Sequence, residues 1–405
     1  MPDLDHDIAI VGGGPVGMTL ALALARSMSG LKIALIDRRA PAVPDDRRAF
    51  AIAAGVRHVF EALGIWQDVV AEAEPIREMR ITDSGTGDIA RPLFLSFGGE
   101  VGAGEPFAHM VPNRALTAAL LDQLADRVTV IAPVEVTGFA GDGTLAEVHL
   151  KDGRTIRAPL VVAADGAMSA LRSMVGIETV THDYRQMGIV TTISHDLPHD
   201  GIAYEHFRPA GPFASLPLPG NRSSLVWTET PQAAARYKQL PLEDVAQIIE
   251  EVMGATLGRI SVEEKLQAFP LSLRLARSFV GPRLALIGDA AHVVHPIAGQ
   301  GLNLGLKDVA SLTEVTIDAL RLGQDHGAAD VLERYEHWRR FDTALMAMVT
   351  DGMNRLFSND VAPVRALRDL GLSLVDRVPP LKDMMIARAA SAERDGPKLL
   401  RGLPV

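Results

Sequence analysis

The chain has 405 residues, a formal charge of −10, 47% hydrophobic and 22% charged residues, and no cysteine. That length exceeds one ordinary core, so two domains or one large α/β domain are expected. The acidic balance excludes a general nucleic-acid binder, and the lack of cysteine excludes disulfides, thiolate metal sites and a cysteine nucleophile.

The first uncharged run, residues 8–25, follows Asp3, Asp5 and Asp7 and contains Gly12, Gly13, Gly14, Pro15 and Gly17. Acids in front of it are wrong for a signal peptide, and the glycines are wrong for a membrane span. It reads as a strand over 7–11, a turn and a helix over 18–27. A second strand over 32–36 ends in Asp37 and is followed by Arg38. Strand, G-x-G-x-x-G, helix, strand and distal acid make the dinucleotide fingerprint. Gly12 makes the tight turn, Gly14 lets backbone approach a pyrophosphate, and Gly17 brings helix and strand together. Asp37 suits a ribose hydroxyl.

Residues 44–50 form a polar loop in which Arg48 is placed to neutralise a phosphate oxygen. A helix follows over 56–63, with Trp66 as core. Residues 76–100 read as β structure. A further helix opens at 110–116 with Arg114 in its first turn, where a cation opposes the helix dipole unless an anion lies beside it. Segments 128–131, 147–151 and 155–158 read as β-ribbon strands. A buried strand over 160–164 ends in Asp165-Gly166, with Ser169 and Arg172 opening a helix.

Residues 184–230 are strand-rich. A helix over 242–253 and a strand over 266–274 follow. Tyr184, Tyr204, Glu205 and His206 are candidates for a base there, and Phe213, Leu216, Pro217 and Trp227 for an apolar pocket. Core packing is the plain alternative for each.

Arg283–Ile287 reads as a strand running into Gly288-Asp289 and a loop with glycines at 299, 301 and 305, then a helix over 302–320. An acid at a strand end followed by such a loop suits a polyol or phosphate ligand. His292 and His295 sit three apart on this loop with no third ligand, so no metal site is expected; His292 braces the loop. No G-x-S-x-G elbow occurs. From about residue 330 the chain is helical. One apolar stripe runs through Tyr335, Trp338, Phe341, Leu345, Met348, Val349 and Leu356, and another over 361–378. Both suit core or a subunit contact; peripheral attachment of 355–405 to a membrane is the sharper reading.

Together the three glycine–acid segments resemble the class A flavoprotein aromatic hydroxylases, with the fold of p-hydroxybenzoate hydroxylase. The run His295-Pro-Ile-Ala-Gly-Gln-Gly-Leu-Asn-Leu-Gly305 is similar to the signature of the ubiquinone-biosynthesis hydroxylases of the UbiH type. The resemblance implies an α/β fold: a Rossmann-like, three-layer ββα FAD-binding domain, an inserted antiparallel-sheet substrate domain, and C-terminal helices. The expected divisions are 1–75, 104–183 and 271–330 for FAD, 76–103 and 184–270 for substrate, and 331–405 for the helices.

It implies that Gly12, Gly14, Pro15, Val16, Gly17, Asp37 and Arg38 hold the ADP half of FAD. Arg48 and Arg114 belong to the pyrophosphate and ribityl region. Asp165, Gly166 and Arg172 join them, and Gly288-Asp289 binds the ribityl chain. Gly299, Gln300, Gly301, Leu302 and Asn303 pack on the isoalloxazine, with Pro296 on the face where oxygen reacts. NAD(P)H would reduce FAD, and reduced flavin with O2 would give a C4a-hydroperoxide that attacks an electron-rich ring. The implied substrate is a polyprenyl phenol of ubiquinone biosynthesis. A cytoplasmic protein docking on the inner membrane, oligomeric or within a multi-enzyme complex, follows from such a substrate. The rivals are a flavin hydroxylase of another hydrophobic aromatic compound, an oxygen-independent FAD reductase, and a flavin-bearing scaffold.

Overall fold

The structure, a computed structural model, describes residues 6–46, 48–83, 93–98, 100–102, 104–357 and 396–405. Its centre is a six-stranded sheet in the order Thr129–Ile131, Ile33–Ile36, Ile8–Val11, Leu160–Ala163, Leu284–Leu286, Val280–Gly281. The first five strands are parallel and the last is antiparallel. Four-residue runs such as Ile8–Val11 and Leu160–Ala163 are buried throughout, as parallel strands covered on both faces must be. Helices Pro15–Ser27, Asn113–Leu124 and Gln300–Arg321 form one covering layer. The three-stranded antiparallel sheet Val136–Asp142, Leu145–Leu150, Thr155–Ala158 forms the other, and it buries Ala146, Val148 and Leu150 in alternation. Leu20, Leu22 and Leu24 of the first helix are fully buried; at roughly 1.5–3 kcal/mol each they anchor its middle and C-terminal half in the core. This is the three-layer ββα arrangement.

Thr129–Ile131 departs from the sequence reading. It is the edge strand of the central sheet, paired with Ile33–Ile36, and the ribbon's third strand is Val136–Asp142. Two of its three residues are exposed, so its apolar content says little about its partner.

The second large sheet has nine strands, in the order His292–Val293, Gln267–Ala276, Thr179–His195, Arg222–Glu229, Phe213–Leu218, Ile202–Phe207, Glu78–Asp83, Leu93–Gly98, with Ile260–Val262 also on Thr179–His195. Only the pairing of Ile202–Phe207 with Glu78–Asp83 is parallel. One face packs Ile189, Ile193, Phe213, Leu225 and Trp227 under helices Pro231–Tyr237 and Leu242–Met253. The Trp227 ring stacks on Tyr237 at 4.7 Å, and its indole N–H donates to Glu229 at 3.1 Å. Phe213 and Trp227 are therefore core residues of that far face and do not line a pocket. The opposite face meets Ala49, Ala51, Ala108 and Met110 of the small sheet Ala49–Ala53, Ala108–Pro112, Glu74–Ile76.

Helix Ala329–Phe357 carries the first expected stripe, but the stripe divides. Tyr335 is buried and donates its hydroxyl to the Leu286 carbonyl at 2.7 Å, whereas Trp338, Phe341, Met348 and Val349 are exposed. The second stripe, 361–378, lies outside the described residues. Among the described residues no helix is long and apolar enough to cross a membrane.

Candidate functional site

Three loops leave the carboxyl ends of adjacent parallel strands and meet at the start of helix Pro15–Ser27. The first is the glycine turn. Gly12 has φ +119°, and a Cβ there would lie 2.1 Å from the Ala164 carbonyl oxygen. A Cβ on Gly17 would lie 1.9 Å from the Gly12 oxygen. Both positions are closed to any other residue. Gly14 is the N-cap, with open space around it; Pro15 takes the first helical position, and no side chain caps the helix or places an acid in its first turn. Its first amides and dipole are left for an anion.

The second loop starts at Asp165, five residues before helix Ala170–Met174. Its Oδ2 accepts the Ala170 amide at 2.8 Å, while its Oδ1 is buried without a partner. Gly166 holds φ +85° beside open space. The third loop starts at Gly288, at φ +58°. Val16 fills the space between loops: a Cβ on Gly288 or Gly305 would meet it at 3.3 or 2.9 Å. Asp37 closes the group from the neighbouring strand, accepting the Gly13 amide at 2.7 Å and the Arg39 amide at 2.7 Å. The expected gathering of Asp37, Asp165 and Gly288-Asp289 about one helix start is what the chain builds.

Asp289 has an exposed side chain, yet burial pushes its carboxyl above the ordinary range, with His292 opposing. Helix Gln300–Arg321 then begins at Gly299, a left-handed N-cap at φ +63° with no capping side chain. Gly301 faces open space, Leu302 is half-buried against the main core, and Gln300 is buried. The first amides of this second helix are again without a capping side chain. Asn303 is buried, and its side chain is a brace: its Oδ1 accepts the Ala53 amide at 3.0 Å and its Nδ2 donates to the Ala51 carbonyl at 2.8 Å. It ties strand Ala49–Ala53 to the loop. Pro296, half-buried, precedes the short turn Ile297–Gly299.

The arginines divide. Arg172 is buried and donates to the carbonyls of Ala290 at 2.7 Å and Ala167 at 3.0 Å, which pins the second loop to the third. That is a bracket between loops, where the sequence suggested a ligand contact. Arg48 pairs with Asp46 at 2.8 Å, and Arg114, 62% exposed, with Glu72 at 3.1 Å. Arg38 is exposed beyond Asp37.

A buried ionic network lies under the third loop. Asp308 Oδ2 accepts from His292 Nε2 at 2.6 Å and from the Gly288 amide at 2.9 Å; its Oδ1 accepts from Arg339 at 2.7 Å. Arg339 continues to Asp342, at 2.8 Å, which also meets Lys307 at 3.3 Å. Burial alone would raise the Asp308 carboxyl, but His292 and Arg339 outweigh it and hold it below the ordinary range. His292 braces the loop as expected. Asp308 and Arg339 were not singled out from sequence; the adjacent Lys307-Asp308 pair in the helix 302–320 was the available signal. His295 is fully buried, with neither ring nitrogen partnered, and stands edge-on to Tyr184 at 5.0 Å. Burial pushes it down to about 4, so it is neutral at physiological pH.

The arrangement fits a dinucleotide with a flat ring. Two helix starts lack capping side chains, one buried carboxylate oxygen lacks a donor, and Gly14, Gly166 and Gly301 face open space.

Residues 5–349 match the family described as FAD binding domain. The chain is 43% identical over 408 residues to ubiquinone hydroxylase UbiL of Rhodospirillum rubrum, covering 98% of this chain and 93% of that one. It is 36% identical over 395 residues to 3-demethoxyubiquinol 3-hydroxylase of Escherichia coli, covering 94% and 97%. The crystal structure of p-nitrophenol 4-monooxygenase PnpA from Pseudomonas putida superposes with a TM-score of 0.77 at 20% identity, over 95% of this chain and 98% of that one. The fold, the three converging loops and the full-length similarity agree: the chain belongs to the FAD-binding monooxygenase family that includes the ubiquinone hydroxylases.

Proposed function

We propose that this protein hydroxylates the aromatic ring of a polyprenyl phenol in ubiquinone biosynthesis, with NAD(P)H as reductant and O2 as the oxygen source. The observation that carries it is the meeting of three glycine–acid loops at one helix start, in a chain similar end to end to ubiquinone hydroxylases. Bound FAD, reduced by NAD(P)H, supplies the activation of O2.

The chain's own residues have separate tasks. The amides after Gly14 receive the pyrophosphate, and Asp37 keeps lone pairs for the adenosine ribose while it braces Gly13. Asp165 Oδ1, which has no partner, and Asp289 would accept hydroxyl hydrogens from the cofactor's sugar and ribityl groups. Gly299–Asn303 would offer the uncapped amides and helix dipole of Gln300–Arg321 to the cofactor's ring, favouring negative charge there. Pro296, half-buried before Ile297–Gly299, would help exclude water from the cofactor's ring, as oxygen activation requires. Arg48, now paired with Asp46, would have to exchange that partner to hold a phosphate.

A lipid-borne substrate implies contact with a membrane surface. The exposed Trp338, Phe341, Met348 and Val349 on helix Ala329–Phe357 supply an apolar edge for it. Co-flotation with liposomes should fall when Trp338 and Phe341 are changed to Asp; unchanged flotation would remove this part. The function itself is tested by metabolite analysis of a strain lacking the protein. A prenylated ubiquinone precursor short of one ring hydroxyl should accumulate, and normal ubiquinone content would refute it.

A further inference from the structure

Glu205 stands out on strand Ile202–Phe207 because nothing in its surroundings accounts for it. It is 4% exposed, and among the described residues no hydrogen bond or ion pair reaches it. Successive side chains of a strand alternate between faces. Ala203 packs with Ile76, Ala108, Met110 and Leu218, and Phe207 packs with Ile81, Met353 and Leu356. Glu205, two residues from each, stands on that same face between the two apolar clusters. This is the face turned toward Ala51, whose Cβ lies 3.1 Å from where a Cβ of Gly299 would be. Tyr204 and His206 point the other way, His206 toward Phe213.

The strand register extends the picture. Ile81, Glu205, Ala214, Val226 and Val190 are direct cross-strand partners in one row. Ala214, Val226 and Val190 are only half-buried. The row is thus an apolar floor, partly open, with one carboxyl near its end. A buried carboxyl without partners costs stability and persists where a ligand completes it.

Resting on the function proposed above, we propose that Glu205 is the catalytic base that takes the proton of the substrate's ring hydroxyl. The phenol O–H bond breaks, the proton goes to a Glu205 oxygen, and the electron pair stays on the phenolate oxygen. That charge delocalises into the ring and makes its carbons more reactive toward electrophilic oxygen. The step is acid–base and needs no further oxidant. The apolar row seats the ring and the start of its prenyl chain. Burial pushes the Glu205 carboxyl up to about 7, with no other group bearing on it, which suits a base working near neutral pH.

The test uses the FAD-loaded protein with 2-decylphenol and its methyl ether as probes. Wild type should bind the phenol at least tenfold tighter than the ether, read by perturbation of the flavin spectrum; Glu205→Leu should bring that ratio to about one. Glu205→Gln should keep phenol binding within a few-fold. It should also lower product formed per NAD(P)H oxidised by about a hundredfold, the difference appearing as hydrogen peroxide. FAD content and melting temperature verify folding of both variants. A wild-type ratio that survives in Glu205→Leu, or wild-type hydroxylation by Glu205→Gln, overturns the assignment while leaving the proposed function standing. A wild type that takes neither probe overturns the phenol substrate and this base together.

Discussion

Glycines at this site have two different jobs, and a methyl group tells them apart. At Gly17 the added carbon would meet backbone at 1.9 Å, so Gly17→Ala should unfold or grossly destabilise the protein whether or not FAD is present. At Gly14 and Gly301 nothing lies within 4 Å. Alanine should leave apoprotein melting unchanged or slightly raised at Gly301 and lower it by no more than a few degrees at the Gly14 N-cap, while FAD affinity drops about tenfold or more in both because the methyl takes ligand space. Equal FAD affinity in Gly14→Ala, Gly301→Ala and wild type would show that the open space is not where the cofactor lies. Glu205 gives a second contrast at this scale. Its carboxyl is raised from 4.5 to about 7 in the fold, so the folded state binds the proton more tightly than the unfolded chain. Stability is full below about pH 4.5 and declines as pH rises through 7. The loss amounts to about 3 kcal/mol at higher pH. Glu205→Gln should therefore melt at a higher temperature than wild type at pH 8 and nearly the same temperature at pH 4.5. A mutant that is less stable at pH 8 would contradict the buried, unpaired carboxyl.

Among the elements, helix Gln300–Arg321 links cofactor loop and molecular frame. Its N-terminus carries Asn303, which holds strand Ala49–Ala53, and one turn later Asp308 holds Gly288, His292 and Arg339. Asp308→Asn takes away the carboxylate that accepts from Arg339, His292 and the Gly288 amide and leaves Arg339 with Asp342 as its remaining counter-charge, a change that costs about 3 kcal/mol. Chemical denaturation should show that loss, with weaker FAD retention because Gly288 is freed. A loss below 1 kcal/mol would mean the network is slack. The glycine–acid loops were legible in the sequence because backbone geometry leaves so few residue types for them. Asp308 and Arg339 were not, since they meet across 31 positions through two helices joined only by the fold. The edge strand Thr129–Ile131 was misread as ribbon for a related reason: three residues carry no register of their own. The stripe on helix Ala329–Phe357 kept helical spacing, but spacing alone does not say which apolar side chains are covered.

On the scale of the whole molecule, a parallel sheet that delivers its loops to one edge stands against a second sheet whose near face is apolar. The first supplies backbone amides and carboxylates; the second supplies a dry floor with Glu205 set in it. Phe213 and Trp227 were candidates for a pocket with core packing as the default, and they stabilise the far side of that floor as core. The division explains why cofactor residues fall in recognisable motifs and substrate residues do not. Phosphate binding demands particular backbone turns, whereas an oily cavity accepts many apolar sequences. The central claim is that three separate loops hold one flavin. FAD titration of the apoprotein, wild type beside Asp165→Ala, tests it most directly. Wild type should bind one FAD per chain, and Asp165→Ala, which removes the unpartnered buried oxygen, should bind it at least tenfold more weakly; a wild type that stays colourless at saturating FAD, or a variant that binds as tightly, would contradict it.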